Sequence, residues 1–202
     1  MKVFSIGDSC LCWQFADVIS EEISKKVITA SRKIKAMSNI LDVVPAYNSL
    51  AVHFDPVVID SYALKASVLS AINEAGAEEF EEGTLFELPV EYDGMDLEEV
   101  MAQKNLSKEE VIELHTSKEY LVSMVGFRPH FPYLLGLDSK LEMNRRETPR
   151  IRIPAGSVAI GGSQTGVYPV QGPGGWNIIG NMKNLETLTS VKAGDRIKFR
   201  SV

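Results

Sequence analysis

The stretch that decides the fold is IPAGSVAIGGSQTGVYPVQGPGGWNIIG, residues 153–180. It holds eight of the chain's 15 glycines and three of its prolines, a density that is common in flexible linkers. Linkers carry few large apolar side chains, whereas this stretch contains Val158, Ile160, Tyr168 and Trp176 among others. Turn residues that alternate with strand-sized apolar runs are typical of a tightly wound β-barrel. We therefore predict packed turns and strands here, not a tether.

The remainder of the second half supports the same interpretation. After residue 120 the chain shows no long helical pattern, only short apolar runs between glycine and proline turns: YLVSMVGF, SVAIGG, WNIIG and RIKF. Before them, residues 86–92 alternate as a strand, and Pro89 makes it an edge or first strand. Two short helices follow, beginning with the capping-box patterns DLEE (96–99) and SKEE (107–110). An all-β barrel or sandwich fits best.

The first 75 residues have a different pattern, in which predicted strands and helices alternate. LCWQF (11–15), ILDVV (40–44) and SLAVHF (49–54) read as strands. An amphipathic helix with Ser20 as its N-cap follows the first of them, and a second helix ends near Gly76. The order β-β-α-β-β-α predicts a small helix-on-sheet sandwich, ferredoxin-like in type.

An acidic stretch, AEEFEEGTLFE (77–87), separates the region of alternating strands and helices from the strand-rich second half. Domain boundaries usually fall in such polar segments. We therefore expect an α+β protein with two domains, an α+β domain over residues 1–80 and a β-barrel domain over residues 81–202.

Composition narrows the classes of function. A net charge of −6 argues against nonspecific nucleic-acid binding, which needs a basic face. No apolar run reaches the roughly 18 residues of a membrane span, and the N-terminus lacks a signal-peptide pattern, so we predict a cytoplasmic protein with no membrane partner. Cys10 and Cys12, the only cysteines, are badly placed for a disulfide and have no second ligand pair, so no metal site is predicted.

Three segments carry possible chemistry, and each has a plainer alternative. His115 lies near the apolar face of its helix, where a satisfied, partly buried histidine is commoner than a ligand or base. GFRPHFPYLLGLD (126–138) crowds aromatic rings around two prolines, which suits either ligand recognition or a plug for one end of a barrel. RRETPRIR (145–152) could clamp a carboxylate or phosphate, or form a solvated basic face. GGSQTG (161–166) lacks the lysine of a phosphate loop.

Five motifs carry a resemblance to a known family: IGDSCL (6–11), VVPAYNSLAVHFDP (43–56), LPVEYDG (88–94), ELHTSKEYLVSMVGFRPHFPYLLGLD (113–138) and TPRIRIPAGSVAIGGSQTGVYPVQGPGGWNIIG (148–180). Through them the chain resembles, nearly end to end, the KipI / allophanate hydrolase subunit 1 family, whose bacterial members include the B subunit of 5-oxoprolinase. The resemblance implies a small α+β N-terminal domain and a cyclophilin-like β-barrel C-terminal domain.

The resemblance also implies that the chain works as one member of a larger assembly. In this family that assembly is an ATP-dependent 5-oxoprolinase, which hydrolyses 5-oxo-L-proline to L-glutamate. The implied partners are a KipA-like protein of homologous fold, which forms the C subunit, and a LamB/YcsF-type protein, which forms the A subunit. ATP would be consumed by the complex, and we expect no activity from this chain alone. Two alternatives stay open: a KipI-type inhibitor that binds a sporulation histidine kinase, and an allophanate hydrolase or urea-processing subunit.

The family's motifs also point to a set of substrate-binding residues, without assigning a catalytic one. These are His115, Arg128, His130, Arg146, Arg150, Gln164, Thr165, Tyr168 and Trp176. His130 is a departure, because the family's GF-x-P-G-F motif reads GFRPHF here. Its imidazole could narrow the pocket or supply a donor, and it would strain the loop if the position needs a positive φ.

Overall fold

The computed structural model describes all 202 residues, and the chain divides into two compact units, residues 1–82 and 83–202. Each unit has its own hydrophobic core. None of the four α-helices is long and apolar enough to cross a membrane.

The first unit has the predicted element order β-β-α-β-β-α. Its elements are β1 (Lys2–Ser5), β2 (Cys10–Gln14), α1 (Glu21–Lys35), β3 (Ile40–Pro45), β4 (Ser49–Phe54) and α2 (Ser61–Ala75). The sheet order is β1-β2-β4-β3, and every neighbouring pair is antiparallel. Strands β2 and β3 therefore flank β4 and run in the same direction, as in a split β-α-β arrangement.

The apolar residues that alternate along the predicted strands form the core of this unit. Leu11 and Trp13 of β2 are buried with Leu50 and Val52 of β4, against apolar residues of both helices. The predicted N-cap is also confirmed, because the Ser20 hydroxyl accepts the backbone N–H of residue 23 at 3.2 Å.

The second unit is a nearly closed barrel-like sheet with two helices. Its elements are β5 (Leu85–Val90), α3 (Leu97–Lys104), α4 (Lys108–Thr116), β6 (Glu119–Val125), β7 (Pro132–Leu135), β8 (Arg150–Ile153), β9 (Ser157–Gly161), β10 (Gln164–Val167), β11 (Gly172–Gly174), β12 (Asn177–Asn181) and β13 (Arg196–Ser201). Seven strands form the sheet in the order β12-β9-β10-β7-β6-β13-β5. Glu91 and Asn181 exchange backbone hydrogen bonds of 2.9 and 2.8 Å, which joins the two ends.

The glycine-rich stretch forms barrel wall, as predicted. It supplies β9, β10 and β12, and its β11 pairs with β8 in a separate two-stranded ribbon. Gly156 shows why glycine is needed, since its φ is +86° and a Cβ there would lie 2.2 Å from the carbonyl oxygen of Met182. Pro89 lies on β5, the last strand in the sheet order, which agrees with an edge strand.

One of the two predicted capping boxes is wrong. Ser107 and Glu110 form a reciprocal capping box at the start of α4, with bonds of 3.1 and 2.7 Å. Asp96 occupies the N-cap position of α3 but makes no side-chain cap. Its carboxylate is engaged by two arginines and a distant backbone N–H, so it is not available to its own helix.

Candidate functional site

The barrel unit contains a cavity of about 320 Å³ walled by aromatic rings. The rings belong to Phe127, Phe131, Tyr133, Tyr168 and Trp176, and the rim includes Arg145 and the turn at residues 173–175. The rings come from the loop after β6, from β7 and from the segments after β10 and before β12, so four parts of the barrel converge here.

The rings hold one another in fixed positions. Phe131 lies at the centre and packs edge-to-face on Tyr168 (5.1 Å, 81°) and on Trp176 (5.7 Å, 84°). Tyr133 makes a similar contact with Trp176, with centroids 5.7 Å apart. Edge-to-face pairs at these distances are favourable beyond simple burial. The cavity wall is therefore preformed by packing.

Two glycines allow this close packing. A Cβ on Gly161 would lie 2.7 Å from the Trp176 indole, and one on Gly174 would lie 2.2 Å from the Tyr168 hydroxyl. Any side chain at either position would push an aromatic ring out of the wall. The glycines of the opening stretch thus shape the cavity as well as the barrel turns.

Arg145 supplies the positive charge at the cavity. Its guanidinium carbon lies 5.5 Å from the Trp176 ring centre, in cation–π range, and it forms no salt bridge. Burial raises the pKa of the Tyr133 hydroxyl and of the Tyr168 hydroxyl, while the nearby Arg145 charge acts in the opposite direction. Both hydroxyls therefore stay protonated near neutral pH and can donate hydrogen bonds.

Two neighbouring arginines are paired inside the protein. Arg150 binds the Asp96 carboxylate through two nitrogens, at 2.7 and 2.5 Å. Arg146 binds the same carboxylate at 3.0 Å and Glu99 at 2.8 Å. Asp96 is only 2% exposed, and it also accepts the backbone N–H of Ile178 at 2.8 Å. Both arginines belong to the predicted site, but their charge is already neutralised.

A larger polar cleft of about 780 Å³ adjoins the aromatic cavity and shares Arg145 and Arg146 with it. Its lining includes three carboxylates, from Glu99, Glu142 and Glu147. The cleft is therefore of mixed charge, in contrast to the aromatic cavity.

His115 and Thr165 lie in the barrel core, away from the cavity lining. Thr165 donates its hydroxyl proton to the Ala159 carbonyl (3.0 Å), so its oxygen accepts Nε2–H of His115 at 2.8 Å. Nδ1 of His115 is then the acceptor for the Tyr92 hydroxyl at 2.6 Å. Burial lowers the pKa of His115 to about 3. His115 is thus a neutral, fully satisfied core histidine, completely buried where the sequence suggested partial burial.

The remaining predicted residues also lie outside the cavity lining. Gln164 is buried at the start of β10. Arg128 stacks 5.8 Å above the Phe127 ring. His130 is exposed in the same turn and has a φ of +67°, a left-handed conformation that favours glycine, so the condition stated for strain in this loop is met.

Of the predicted set, the structure therefore brings Arg146, Tyr168 and Trp176 to the cavity. Sequence reasoning left out Arg145 and the aromatic residues of the loop and of β7, although it had marked both segments as unusual. It also missed Asp96, whose only visible signal was a capping pattern that the structure does not form.

The chain is similar to known proteins over most of its length. The family model described as carboxyltransferase domain, subdomain C and D, matches residues 1–185. The B subunit of 5-oxoprolinase from Bacillus subtilis (strain 168) is 36% identical, over 98% of this chain and 91% of the relative. The corresponding Haemophilus influenzae protein is 35% identical, over 98% and 97%. An Escherichia coli O157:H7 protein of the same name is 34% identical, over 89% and 84%.

Solved structures are similar as well. The crystal structure of TTHA0988 matches 96% of this chain with a TM-score of 0.83 and 33% identity, and this chain spans 40% of that longer protein. The Kluyveromyces lactis urea amidolyase matches with a TM-score of 0.78 at 15% identity, a likeness of fold alone.

Proposed function

The chain belongs to the family of carboxyltransferase-domain proteins, subdomains C and D, and we propose that it is the B subunit of an ATP-dependent 5-oxoprolinase complex. The observation that carries this proposal is identity of 34–36% to three proteins named as the B subunit of 5-oxoprolinase, over most of both chains. The complex would open the lactam of 5-oxo-L-proline to give L-glutamate. Its other members would be the KipA-like and LamB/YcsF-type proteins.

The aromatic cavity is the proposed binding site for the lactam. Its volume of about 320 Å³ lies at the small end of ligand pockets, which suits a compact five-membered ring. The ring's methylene groups would pack on Trp176 and Phe131, and the carboxylate would pair with Arg145. The protonated hydroxyls of Tyr133 and Tyr168 would donate hydrogen bonds to the lactam carbonyl.

The residues around this cavity do not fit a triphosphate. Arg146 and Arg150 are held by Asp96, and the adjoining cleft presents Glu99 and Glu147. We therefore assign to this chain the binding and orientation of the lactam and its shielding from water, and place ATP on a partner protein. The complex would work in the cytoplasm, where ATP is available.

We also infer the finer fold of the two units. The first would be a ferredoxin-like domain in which β1 takes the edge next to β2, a position supported by the order β1-β2-β4-β3. The second would be a cyclophilin-like barrel, supported by the near closure at Glu91 and Asn181. The two domains that we propose are residues 1–80 and 81–202, and their support is that the compact units divide two residues later, after residue 82. The kinase-inhibitor and urea-processing alternatives stay predictions.

The test is 5-oxoproline-dependent release of ADP and glutamate by the three co-expressed proteins, with a preparation lacking this chain as control. We expect turnover only when all three are present. Arg145→Gln should raise the KM for 5-oxoproline by about 10- to 100-fold, the loss of a charge-assisted hydrogen bond. Arg152→Gln, an exposed arginine outside the cavity lining, is the matched control and should keep the wild-type KM.

Two results would count against the proposal in different ways. Full turnover by the preparation that lacks this chain would remove its role in the complex. An unchanged KM in Arg145→Gln would leave that role intact and move the substrate away from the aromatic cavity.

A further inference from the structure

The arginines beside the cavity differ in whether they form ion pairs within the protein. Asp96 takes both arms of Arg150 and one arm of Arg146, and Glu99 takes the same Nη1 of Arg146. Arg145, next in sequence to Arg146, makes no ion pair and lies over Trp176. Asp96 and Glu99 together thus neutralise two of the four guanidinium groups of residues 145–152, those of Arg146 and Arg150, and Arg145 is left available to a ligand.

Asp96 also fixes the backbone on both sides of Trp176. Its carboxylate accepts the N–H of Ile178 at 2.8 Å, and its own N–H donates to the Ile178 carbonyl at 2.9 Å. Arg146, held by Asp96, donates its backbone N–H to the Gly175 carbonyl at 2.7 Å. The Asp96 carboxylate therefore holds Ile178 directly and Gly175 through Arg146, on the two sides of Trp176.

We propose that Asp96 is the positioning residue that makes the aromatic cavity selective for a small, flat monoanion. It does so by anchoring Arg146, the residue next to Arg145, and by holding Trp176 where Arg145 can lie across it. This inference rests on the proposed binding of 5-oxoproline in the cavity and goes beyond it, because it assigns the choice of ligand charge to a residue that does not line the cavity.

Asp96 affects how strongly the cavity prefers a carboxylate over a neutral ligand. With Asp96 in place, a carboxylate ligand meets one oriented guanidinium, whereas a neutral carboxamide of the same shape accepts a weaker hydrogen bond from it because it carries no charge. Asp96→Asn keeps the size of the side chain but removes its charge, so it can no longer hold both arginines. The segment carrying Arg145 then loses its anchor, and the preference for the carboxylate falls.

The experiment uses the assembled three-protein complex and two probes, 5-oxoproline and its carboxamide. The KM of the first is compared with the inhibition constant of the second. For Asp96→Asn we expect the preference for the carboxylate to fall about tenfold, mainly through KM, with kcat within about threefold of wild type. A merely structural role would reduce the amount of active complex, and hence the apparent kcat, without changing KM.

Matched variants separate the possible causes. Glu98→Gln removes one negative charge from the same helix, at an exposed residue that contacts no arginine, and should keep the preference. Asp96→Glu retains the charge and should restore part of the preference lost in Asp96→Asn. If Asp96→Asn does not assemble, Arg150→Lys tests the contact from the other side, because lysine cannot bind the carboxylate through two nitrogens.

The outcomes distinguish this inference from the function on which it rests. If Arg145→Gln keeps the preference for the carboxylate, the cavity is not the lactam site and the proposed function fails there. If Arg145→Gln loses the preference while Asp96→Asn, or Arg150→Lys in its place, retains it, the binding site stands and the role of Asp96 is overturned. If Arg145→Gln and Asp96→Asn both lose the preference for the carboxylate while Glu98→Gln keeps it, the inference is supported.

Discussion

Lowering the pH should weaken the barrel unit through His115, which is neutral and completely buried in the native protein. Its two ring nitrogens are occupied by Tyr92 and Thr165, and its ring stacks on Phe199 at 4.4 Å. No carboxylate contacts the ring, so a proton added there would be a charge without a partner. The native protein therefore resists protonation of this residue, whereas the unfolded chain does not.

The size of the effect follows from the difference between the two pKa values. The pKa of His115 is lowered by burial from 6.5 to about 3 in the folded protein. Because the folded-state pKa is the lower one, the stability contribution is complete above about pH 6.5 and is lost as the pH falls toward 3. Each pH unit in that window costs about 1.36 kcal/mol, so a drop to about pH 5 should cost about 2 kcal/mol.

Urea unfolding at about pH 7.5 and about pH 5 measures this difference. The protein has two tryptophans, so a Trp13→Phe background leaves Trp176 to report on the barrel unit alone. In that background, His115→Gln should have a lower free energy of unfolding at both pH values. Its free energy of unfolding should, however, fall by about 2 kcal/mol less on acidification than that of the protein that retains His115. Val111→Ala, a buried and non-ionisable change on the same helix, should keep the full loss.

Equal losses on acidification with and without His115 would refute this reasoning. Such a result would mean that the imidazole is protonated in the native state near pH 5, and that its burial costs less than the geometry indicates. Other acid-sensitive groups are common to all the proteins compared, so they cancel in the difference.

The remaining predictions concern backbone positions around the cavity, measured by the same unfolding assay. Gly161→Ala should cost about 1–3 kcal/mol, because the new methyl would lie 2.7 Å from the Trp176 indole. Gly126→Ala, where nothing lies within 4 Å, should change stability by less than about 0.5 kcal/mol. His130→Gly should be more stable than His130→Ala by about 1 kcal/mol, since alanine keeps the strain of φ +67° and glycine removes it. The reverse order would show that this turn is unstrained.

Local patterns were sufficient to predict much of the fold. The alternation in LCWQF and SLAVHF identified two strands and the face that Leu11 and Val52 bury. The Ser20 and Ser107 caps identified two helix starts, because capping depends on residues within one turn of each other. The acidic stretch predicts a domain boundary near residue 80, and this stays a prediction; the compact units divide after residue 82. What the patterns left undetermined was the pairing of barrel strands, since that depends on residues far apart in the chain.

The site was less predictable for the same physical reason. Tyr168 and Trp176 were chosen because their segments matched a known motif, and both line the cavity. Which arginines of the 145–152 cluster form ion pairs could not be read from the sequence, because the pairing depends on Asp96, some 50 residues away. The same carboxylate explains the incorrect capping box, because a side chain that binds three distant donors cannot also cap its own helix.

The order of strands in the barrel has a consequence for biosynthesis. Strand β13, the last element of the chain, lies between β5 and β6, the first two strands of the barrel, and pairs in parallel with β5. Until residues 196–201 emerge from the ribosome, β5 has no neighbour on that side, and Leu88 and Val90 stay unprotected. The sheet of the first unit has no such dependence, because its four strands pair only with one another. Nascent barrel chains thus pass through a stage in which an unpaired β5 edge is exposed to aggregation, and the stage ends when β13 has been made.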